Sequence, residues 1–456
     1  MADPSLYGEI FADRAMAALL DDRAALQGML DVEAALARAE AEAGVISPGA
    51  AELIAGQCDA GLYDLAALGR AATLAGNPAI PLVKALTGRV ASVDAEAAKW
   101  VHYGATSQDV VDSGQAQQYR AASELLLDRS ARLAHALAAL AREHRRTPMI
   151  GRTFLQHAVP ISFGLKAANW LDPIVSFHDD FMVRGQAAHQ LGGAAGSLAS
   201  LGDKADAVAE AFARLMPSIG AVRVPWHSQR RRPAAIAAEL GLLLGHLGKM
   251  AQDIALMAQT EIGELSEPEA PGKGGSSAMP HKRNPVLCTL ILAAAKRAPG
   301  LVATMLAAMP QEHERAMGGW HAEWPTLREL FLIAGGALHH AVLLVEGLQV
   351  FPERMQDNLE LTNGLVMAER VSLALARTLG RGEAHHLLED ASRDCVASGR
   401  HLKDVLAGDA RLGGRLTPEE LDDLFDPTTY RGATDAIIDR ILVRYEEERE
   451  YMSGNG

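Results

Sequence analysis

Apolar positions recur with a helical period between residues 233 and 262. They are spaced alternately four and three apart, which places one apolar seam along a helix for several turns. Pro233 suits the first turn, where a backbone N–H is not needed. The pattern predicts a long helix, and similar patterns predict others over 115–145, 160–184, 285–309 and 326–350. The seam residues are Ile236, Leu240, Leu243, Leu247, Met250, Ile254 and Met257.

Shorter helical patterns flank these long stretches. DDRAALQGMLDVEAALARAEAEAG predicts an amphipathic helix that ends at Gly44, and Thr417, Pro418 and Glu420 have the spacing of a capped helix start. No strand-rich region and no internal repeat is apparent. We therefore predict an all-α protein whose long apolar seams favour oligomerisation. The expected domains are an N-terminal helical domain (1–105), a central long-helix bundle with the loop at 272–285 (106–350) and a C-terminal helical domain (351–456).

Composition narrows the expected partners and compartment. The formal net charge of −14 argues against nucleic acid or an anionic membrane as a partner, because both select a basic surface. The apolar segment LFLIAGGALHHAVLLVEGLQV contains two histidines and a glutamate, so it predicts a buried bundle helix rather than a membrane span. Cys58, Cys288 and Cys395 show neither disulfide nor metal-ligand spacing. No secretory signal is visible, and we expect a cytoplasmic protein with reduced cysteines.

Positive charge collects in and after GKGGSSAMPHKRNP, residues 272–285. No acidic residue lies between Glu269 and Glu312. Glycines let backbone N–H groups converge on an anion. The spacing differs from a nucleotide phosphate loop, because no Ser or Thr follows Lys273 and no glycine lies five residues before Gly272. The segment predicts a site for an anion other than a triphosphate. The basic residues in this interval are Lys273, Lys282, Arg283, Lys296 and Arg297.

Three segments resemble motifs of the fumarase/aspartase superfamily, whose members include adenylosuccinate lyase. GGSSAMPHKRNP is similar to the signature loop, HYGATSQDVVDSG at 102–114 to the first substrate-binding segment, and GRTFLQHAVPISFGLK at 151–166 to a third motif. They occur in the usual order, and the resemblance covers nearly the whole chain. It implies an enzyme that makes or breaks a bond β to a carboxylate through a doubly charged aci-carboxylate. Such an intermediate needs preorganised donors and cations.

The resemblance also implies roles for individual residues. Ser276 corresponds by position to the catalytic serine, and Lys282 matches a carboxylate-binding position of the catalytic set. The loop glycines would let the loop close over substrate. The other residues expected to bind substrate are His102, Thr106, Ser107, Gln108, Gln229, Ser277, Met279, Arg283, Asn284 and Arg315.

Structural alternatives remain open for two of these residues. Ser107 precedes QDVVD and fits an ordinary helix N-cap, although a helix N-terminus also binds anions, so both roles are compatible. His102 fits either a residue that lines the site or a buried core histidine.

The third motif departs from the superfamily pattern at Phe154, where many lyases have a histidine after GRT. The role of that histidine in handling the leaving group is therefore not carried over. His157 is the nearest titratable residue and is predicted to be catalytic. The alternative is that His157 only donates to a backbone carbonyl. Either Ser276 or His157 would be the proton donor, with Ser276 favoured by its motif position.

The segment HERAMGGWHAEWPTL, residues 313–327, separates branches of the superfamily. Adenylosuccinate lyases typically have serines and an arginine after HER that grip the nucleotide phosphate. With PWHSQR at 225–230 and Phe154, this segment instead resembles a cycloisomerase branch, in which a substrate carboxylate adds to its own conjugated alkene. Arg230 is then a further candidate for gripping a carboxylate. Trp320 and Trp324 fit packing and diene contacts equally well.

The expected protein is an enzyme with neither cofactor nor metal that acts on a small polycarboxylate. It would bind neither nucleic acid nor membrane. The alternative is an adenylosuccinate lyase-like enzyme that eliminates fumarate. A non-catalytic helical scaffold is disfavoured, because Ser276, Lys282 and Asn284 are all present. The resemblance further implies a homotetramer whose active sites combine segments from three chains.

Overall fold

A computed structural model describes residues 8–11, 13–185, 187–216, 224–269, 279, 282–412 and 414–452. Most of the signature loop lies outside the described residues, including Ser276 and Ser277, so the roles of these two serines stay predictions. The described chain is dominated by helices, and the all-α prediction is confirmed.

The longest helices lie in the middle of the chain, with shorter ones before and after them. In chain order they are α1 (Gly8–Phe11), α2 (Arg14–Leu19), α3 (Asp22–Glu42), α4 (Pro48–Ala55), α5 (Leu65–Ala75), α6 (Ala79–Ala91), α7 (Ser107–Glu143), α8 (Phe163–Arg184), α9 (Ala205–Leu215), α10 (Arg231–Met257), α11 (Val286–Ala307), α12 (Gly319–Glu346), α13 (Pro352–Glu360), α14 (Ala368–Leu379), α15 (Arg381–Ser398), α16 (Leu402–Ala407), α17 (Pro418–Phe425) and α18 (Thr434–Met452).

The apolar seam predicted along the chain forms one face of α10. Every seam residue is buried, with at most 3% of its surface exposed. Pro233 lies in the first turn, as predicted. The helix predicted to begin at 115 starts earlier, at Ser107, because the polar TSQD segment forms the first turn of α7.

Two predicted helix ends are confirmed. The helix α3 ends at Glu42, and Gly44 follows with a φ of 73°, a left-handed conformation that glycine adopts without strain. At the start of α17, the Thr417 hydroxyl accepts from the Glu420 N–H at 3.1 Å, and the Glu420 carboxylate accepts from the Thr417 N–H at 2.8 Å. This reciprocal pair is the capping box that the sequence predicts.

Short antiparallel strand pairs occur in the described part of the chain. β1 (Pro148–Thr153) pairs with β2 (Gln156–Ser162), and β3 (Leu265–Ser266) pairs with β4 (Gln349–Val350). The hairpin of β1 and β2, which contains most of the third motif, was missed by the sequence analysis. Consequently α8 begins at Phe163 rather than at residue 160. The hairpin turn is apolar and fully open, since Phe154 and Leu155 have φ values of 48° and 64° and are 101% and 73% exposed.

The chain divides into two compact units. Unit 1 comprises Met1–Ser130, Phe177–Gly248 and Leu290–His340, and unit 2 comprises Ala131–Ser176, Lys249–Thr289 and Ala341–Gly456. In unit 1, α3 packs against α4 and α9 around an apolar core. In unit 2, α14 packs against α15, and the β1–β2 hairpin packs against α13. The three-domain division remains a prediction.

Within unit 1, α3 and α7 approach closely at a pair of glycines. A Cβ atom on Gly28 would lie 2.7 Å from the carbonyl oxygen of Gly114, and one on Gly114 would lie 2.9 Å from the backbone nitrogen of Met29. Both distances are too short for a carbon atom against backbone. The absence of side chains at these two positions therefore sets the spacing of the two helices.

Three helices in the described part of the chain are long and apolar enough to cross a membrane by length and composition: Arg231–Met257, Val286–Ala307 and Gly319–Glu346. In the most apolar 18-residue stretch of each helix, 61% is buried inside the protein for α10 and 67% for α12. For α11 only 28% is buried. The apolar segment predicted to be a bundle helix belongs to α12. The helix α11 presents an apolar surface that the described part of the chain leaves largely exposed.

We predict that Gly28→Ala destabilises the protein by about 1–3 kcal/mol, because the added methyl group forces α3 away from α7. Urea unfolding at fixed protein concentration measures the change. The matched control is Gly69→Ala in α5, whose Cβ would meet nothing within 4 Å. That control should leave the stability unchanged or raise it slightly. Equal effects of the two substitutions would show that the close approach does not limit stability.

Candidate functional site

The predicted site residues within the described chain fall into both units. Unit 1 contains His102, Thr106, Ser107, Gln108, Gln229 and Arg315, and unit 2 contains His157, Met279, Lys282, Arg283 and Asn284.

The start of α7 carries the TSQD segment of the first motif. Thr106 occupies the N-cap position, because its carbonyl oxygen accepts from the Asp109 N–H at 3.0 Å while its own N–H donates to Asp109 Oδ2 at 3.0 Å. Ser107 is the first helical residue rather than the cap. The N-terminus of a helix favours an anion in front of it.

Asp109 connects the helix start to two other segments of unit 1. Its side chain is fully buried and accepts hydrogen bonds from Gly192 N and Gly193 N, both at 2.9 Å. It also accepts from His227 Nε2 at 2.7 Å. Together with the Thr106 N–H, these donors occupy both carboxylate oxygens. Asp109 therefore fixes the 102–106 loop against the 192–193 turn.

Gln108 and Arg315 are brought together by the fold. The Gln108 side chain is fully buried, and its amide nitrogen lies 2.8 Å from the His227 carbonyl oxygen and 3.3 Å from Asp112 Oδ2. Its amide oxygen accepts from Arg315 Nε at 3.1 Å. Arg315 Nη2 also donates to the Ala194 carbonyl oxygen at 3.1 Å, although the residue as a whole is exposed. Gln108 thus holds an exposed guanidinium group in one orientation.

Arg230, a candidate for gripping a substrate carboxylate, is buried with only 3% of its surface exposed. Its guanidinium group contacts Asp112 Oδ2 at 2.7 Å and both carboxylate oxygens of Glu323, and it stacks on Trp226 at 4.6 Å. Two protein carboxylates therefore occupy its donors, and the role proposed for it from the sequence is not supported. Trp320 is also structural, since its indole N–H donates to Asp112 Oδ1 at 2.8 Å.

His102 is neither a core histidine nor freely exposed. Its side chain is 18% exposed, and its Nδ1 lies 2.6 Å from Oε1 of Glu33, a fully buried residue of α3. Burial acts to lower the pKa of His102, but the charge of Glu33, the hydrogen bond to it and the charge of Asp109 outweigh burial and raise the pKa. The ring is thereby favoured as an imidazolium cation. Gln229 lies just before α10 and is exposed.

In unit 2, the β1–β2 hairpin positions His157 opposite Arg152. Arg152 forms two hydrogen bonds with the buried Glu264, at 2.9 and 2.7 Å, and Asn358 Nδ2 donates to the same carboxylate at 2.8 Å. His157 Nδ1 is buried with no hydrogen-bond partner among the described residues. Burial and the positive charge of Arg152 lower the pKa of His157, against the opposing charge of Glu264. The neutral imidazole is therefore favoured.

The described end of the signature loop leads directly into α11. The Lys282 N–H donates to the Met279 carbonyl oxygen at 3.0 Å, and Lys282, Arg283 and Asn284 are exposed. The Arg283 guanidinium pairs with Glu269. At the helix start, the buried Glu267 accepts from Leu287 N at 3.1 Å and Cys288 N at 2.8 Å. This cap fixes the segment that carries the three polar residues.

Several buried carboxylates that hold the site were missed by the sequence analysis. Asp109 and Asp112 lie inside the first motif, so their spacing at the start of a predicted helix was the available signal. Glu33 and Glu264 belong to distant segments, and no local pattern links them to His102 or Arg152. In the described residues there is no group of three or more His, Cys, Asp or Glu side chains that could hold a metal ion.

Comparisons with known proteins find relatives over almost the whole length. The Lyase family model matches residues 9–300, and the Adenylosuccinate lyase C-terminus model matches residues 364–441. The 3-carboxy-cis,cis-muconate cycloisomerase of Bradyrhizobium diazoefficiens is 49% identical, over 97% of this chain and 98% of its own. That of Pseudomonas aeruginosa is 50% identical, over 96% of both. The crystal structure of the 3-carboxy-cis,cis-muconate lactonizing enzyme from Pseudomonas putida gives a TM-score of 0.92 at 45% identity, covering 97% of this chain and 99% of that one.

Glu40, seven residues after Glu33 on α3, has a testable effect on stability. It is fully buried, neither carboxyl oxygen has a partner in the described chain, and burial together with the charge of Glu33 raises its pKa from 4.5 to about 9. The folded protein therefore holds a proton that the unfolded chain loses above pH 4.5. The contribution of Glu40 to the free energy of unfolding therefore falls as the pH rises from 4.5 to about 9.

We predict that Glu40→Gln stabilises the protein at pH 8 more than at pH 5, because the amide does not titrate. The difference in the free energy of unfolding between the two pH values should be on the order of 2–4 kcal/mol. Urea unfolding at both pH values tests this. Glu42→Gln, at an exposed position two residues further on, is the control and should show no such difference. A Glu40→Gln effect independent of pH would mean that the carboxyl group is not held neutral.

Proposed function

We propose that this chain, which belongs to the lyase family of the fumarase/aspartase superfamily, is a 3-carboxy-cis,cis-muconate cycloisomerase. The proposal rests on sequence identity. Two proteins of that name are 49% and 50% identical to this chain, over 97% and 96% of its length. Two groups at the start of α7 support the proposal. Arg315, held by Gln108, and the first turn of α7 both belong to unit 1 and suit carboxylate groups.

The reaction is an intramolecular conjugate addition that gives 4-carboxymuconolactone. A carboxylate oxygen of the substrate forms a bond to the β carbon of a conjugated alkene, and the electron pair of the double bond moves into the other carboxylate as an aci-carboxylate. A proton then adds to the α carbon. Because the nucleophile is part of the substrate, its effective molarity lowers the barrier without a separate nucleophile site. Cations that hold the carboxylates stabilise the additional negative charge.

Ser276 remains the favoured proton donor. The lowered pKa of His157 leaves a neutral imidazole near pH 7, which has no imidazolium proton to give. The Ser276 hydroxyl would transfer its proton to the α carbon, and the resulting alkoxide would be stabilised by nearby cations such as Lys282 until water reprotonates it. Ser277, Met279, Arg283 and Asn284 would contact the substrate in the same loop.

An adenylosuccinate lyase-like elimination that releases fumarate is the second candidate. It is favoured by the match of residues 364–441 to the adenylosuccinate lyase C-terminus. Against it stands AMGGWHAEW after HER, which lacks the phosphate-gripping residues that the alternative requires. The addition reaction fits the chain better, because no pocket for a purine nucleotide needs to be provided.

The same proposal includes a cytoplasmic homotetramer that acts in protocatechuate breakdown through the beta-ketoadipate pathway, without a cofactor, nucleic acid or membrane. Two structural features support assembly. Only 28% of the most apolar window of α11 is buried, and the hairpin tip at Phe154 and Leu155 is open to solvent. Other subunits would cover both surfaces and complete active sites shared between chains.

We predict that the purified protein removes the ultraviolet absorbance of 3-carboxy-cis,cis-muconate and releases no fumarate from adenylosuccinate. Ser276→Ala should lower kcat by at least about a hundredfold with an unchanged fold, because the proton donor is lost. Circular dichroism and urea unfolding report the fold, and Ser92→Ala, at an exposed position, is the control. Fumarate release without loss of muconate would favour the lyase, and a mild effect of Ser276→Ala would remove this serine from the mechanism.

We predict that mixing Ser276→Ala with Arg315→Ala protein restores part of the activity after subunit exchange. In mixed tetramers, some shared sites would receive an intact loop from one chain and an intact arginine from another. Native mass spectrometry measures the exchange, and each variant carried alone through the same procedure is the control. Mixed tetramers without recovered activity would argue that each site is built from a single chain.

A further inference from the structure

The pairing of His102 with Glu33 joins two distant segments of unit 1 at a strained point of the backbone. His102 has a φ of 61°, in the left-handed region that residues other than glycine seldom adopt. Its loop also contains Gly104, with a φ of 77°, where a Cβ atom would lie 2.7 Å from the side chain of Leu201. The backbone therefore turns sharply where the ring reaches Glu33. A strained residue that persists in this way is held by its surroundings.

Among the described residues, His102 is the hydrogen-bond partner of the Glu33 carboxylate. The Glu33 side chain is fully buried on α3, and its Oε1 lies 2.6 Å from His102 Nδ1. The second oxygen, Oε2, has no hydrogen-bond partner among the described residues. A buried carboxylate needs hydrogen-bond donors or a positive charge beside it. Here the imidazole ring is in position to be that partner.

The groups that act on His102 favour a positive ring. Glu33 on α3 and Asp109 on α7 are the charged groups with a resolved influence on it, and both raise its pKa. Glu40, the next buried acid on α3, is held neutral by burial and therefore adds no competing charge. The carboxylate accepts the hydrogen from Nδ1, because a carboxylate has no hydrogen to donate.

We propose that Glu33 is a positioning residue that keeps His102 doubly protonated, with Nδ1–H on Glu33 and Nε2–H left for a carboxylate of the substrate. The inference rests on the proposed function, in which His102 binds a polycarboxylate. A charge-assisted hydrogen bond from an imidazolium is stronger than one from a neutral ring. A neutral ring with its hydrogen on Nδ1 would instead present a lone pair at Nε2, which repels a carboxylate. Substrate affinity then follows the protonation of His102.

The test replaces Glu33 by Gln, which preserves the shape of the side chain and removes its charge. KM and kcat for 3-carboxy-cis,cis-muconate are measured from pH 6 to pH 9. We expect KM to rise about tenfold over the pH range in which only the wild-type ring stays protonated, with a smaller change in kcat, because mainly binding is lost. The pH at which KM begins to rise should move downward, because the carboxylate that raises the pKa of His102 is removed. The two KM values should approach each other as the pH falls, because protonation of the ring is increasingly favoured in both proteins.

Two controls separate this role from a structural one. Glu40→Gln removes another buried acid from the same helix and should leave the pH profile of KM unchanged. Glu33→Asp retains the charge at a greater distance from the ring and should give a pH profile between those of wild type and Glu33→Gln. In a His102→Asn background, Glu33→Gln should have no further effect on KM, because Glu33 acts through the ring. Additive effects, or a pH profile unchanged by Glu33→Gln, would overturn the inference.

Binding of propane-1,2,3-tricarboxylate by calorimetry over the same pH range separates this inference from the proposed function. If the wild-type protein fails to convert the muconate but binds the tricarboxylate with a Glu33-dependent pH profile, the substrate assignment fails and the role of Glu33 stands. If turnover is normal and neither KM nor tricarboxylate binding depends on Glu33, the function stands and the positioning role is wrong. Should Glu33→Gln not fold, the comparison of Glu33→Asp with wild type decides, since the shorter acid must shift the same profile.

Discussion

The start of α7 depends on two buried carboxylates one turn apart, Asp109 and Asp112. Asp109 accepts from Gly192, Gly193, Thr106 and His227, and Asp112 accepts from side chains that include Arg230 and Trp320. Each buried carboxylate is stable only because its oxygens are satisfied, and each donor would be costly to bury without them. The network therefore fixes several loops of unit 1 at once. A rigid frame of this kind is what a binding site for a small anion requires.

The positive charges of two arginines near the start of α7 have different functions. Arg230 and Arg315 are the same residue type and lie near the same helix start, but Arg230 meets two buried carboxylates and Arg315 meets an amide and a carbonyl oxygen. The first guanidinium neutralises the protein interior. The second keeps its positive charge uncompensated by those partners, and it is therefore the one suited to an incoming carboxylate. An inventory of basic residues cannot make this distinction, because it depends on what each side chain touches.

Features set by local chemistry were predictable from the sequence. The seam of α10, the end of α3 before Gly44 and the capping box at Thr417 each depend on residues close together in the chain, and each is confirmed. The β1–β2 hairpin was missed because its turn uses Phe154 and Leu155 in place of the usual glycine or asparagine. Motif spacing located Gln108 and Arg315 separately but not their contact. Glu33, 69 residues from His102, gave no signal at all, since only tertiary packing brings the two together.

The glycine contact between α3 and α7 has a consequence for chemistry as well as for packing. Gly28 and Glu33 lie on the same helix, and Gly114 lies on the helix that follows His102. The spacing of these two helices therefore sets the distance between the Glu33 carboxylate and the His102 ring. Hydrogen bonds weaken within a few tenths of an ångström, whereas a methyl group between helices displaces them by more. A substitution that alters this spacing would therefore change the hydrogen bond between Glu33 and His102, although every polar residue of the site would still be present.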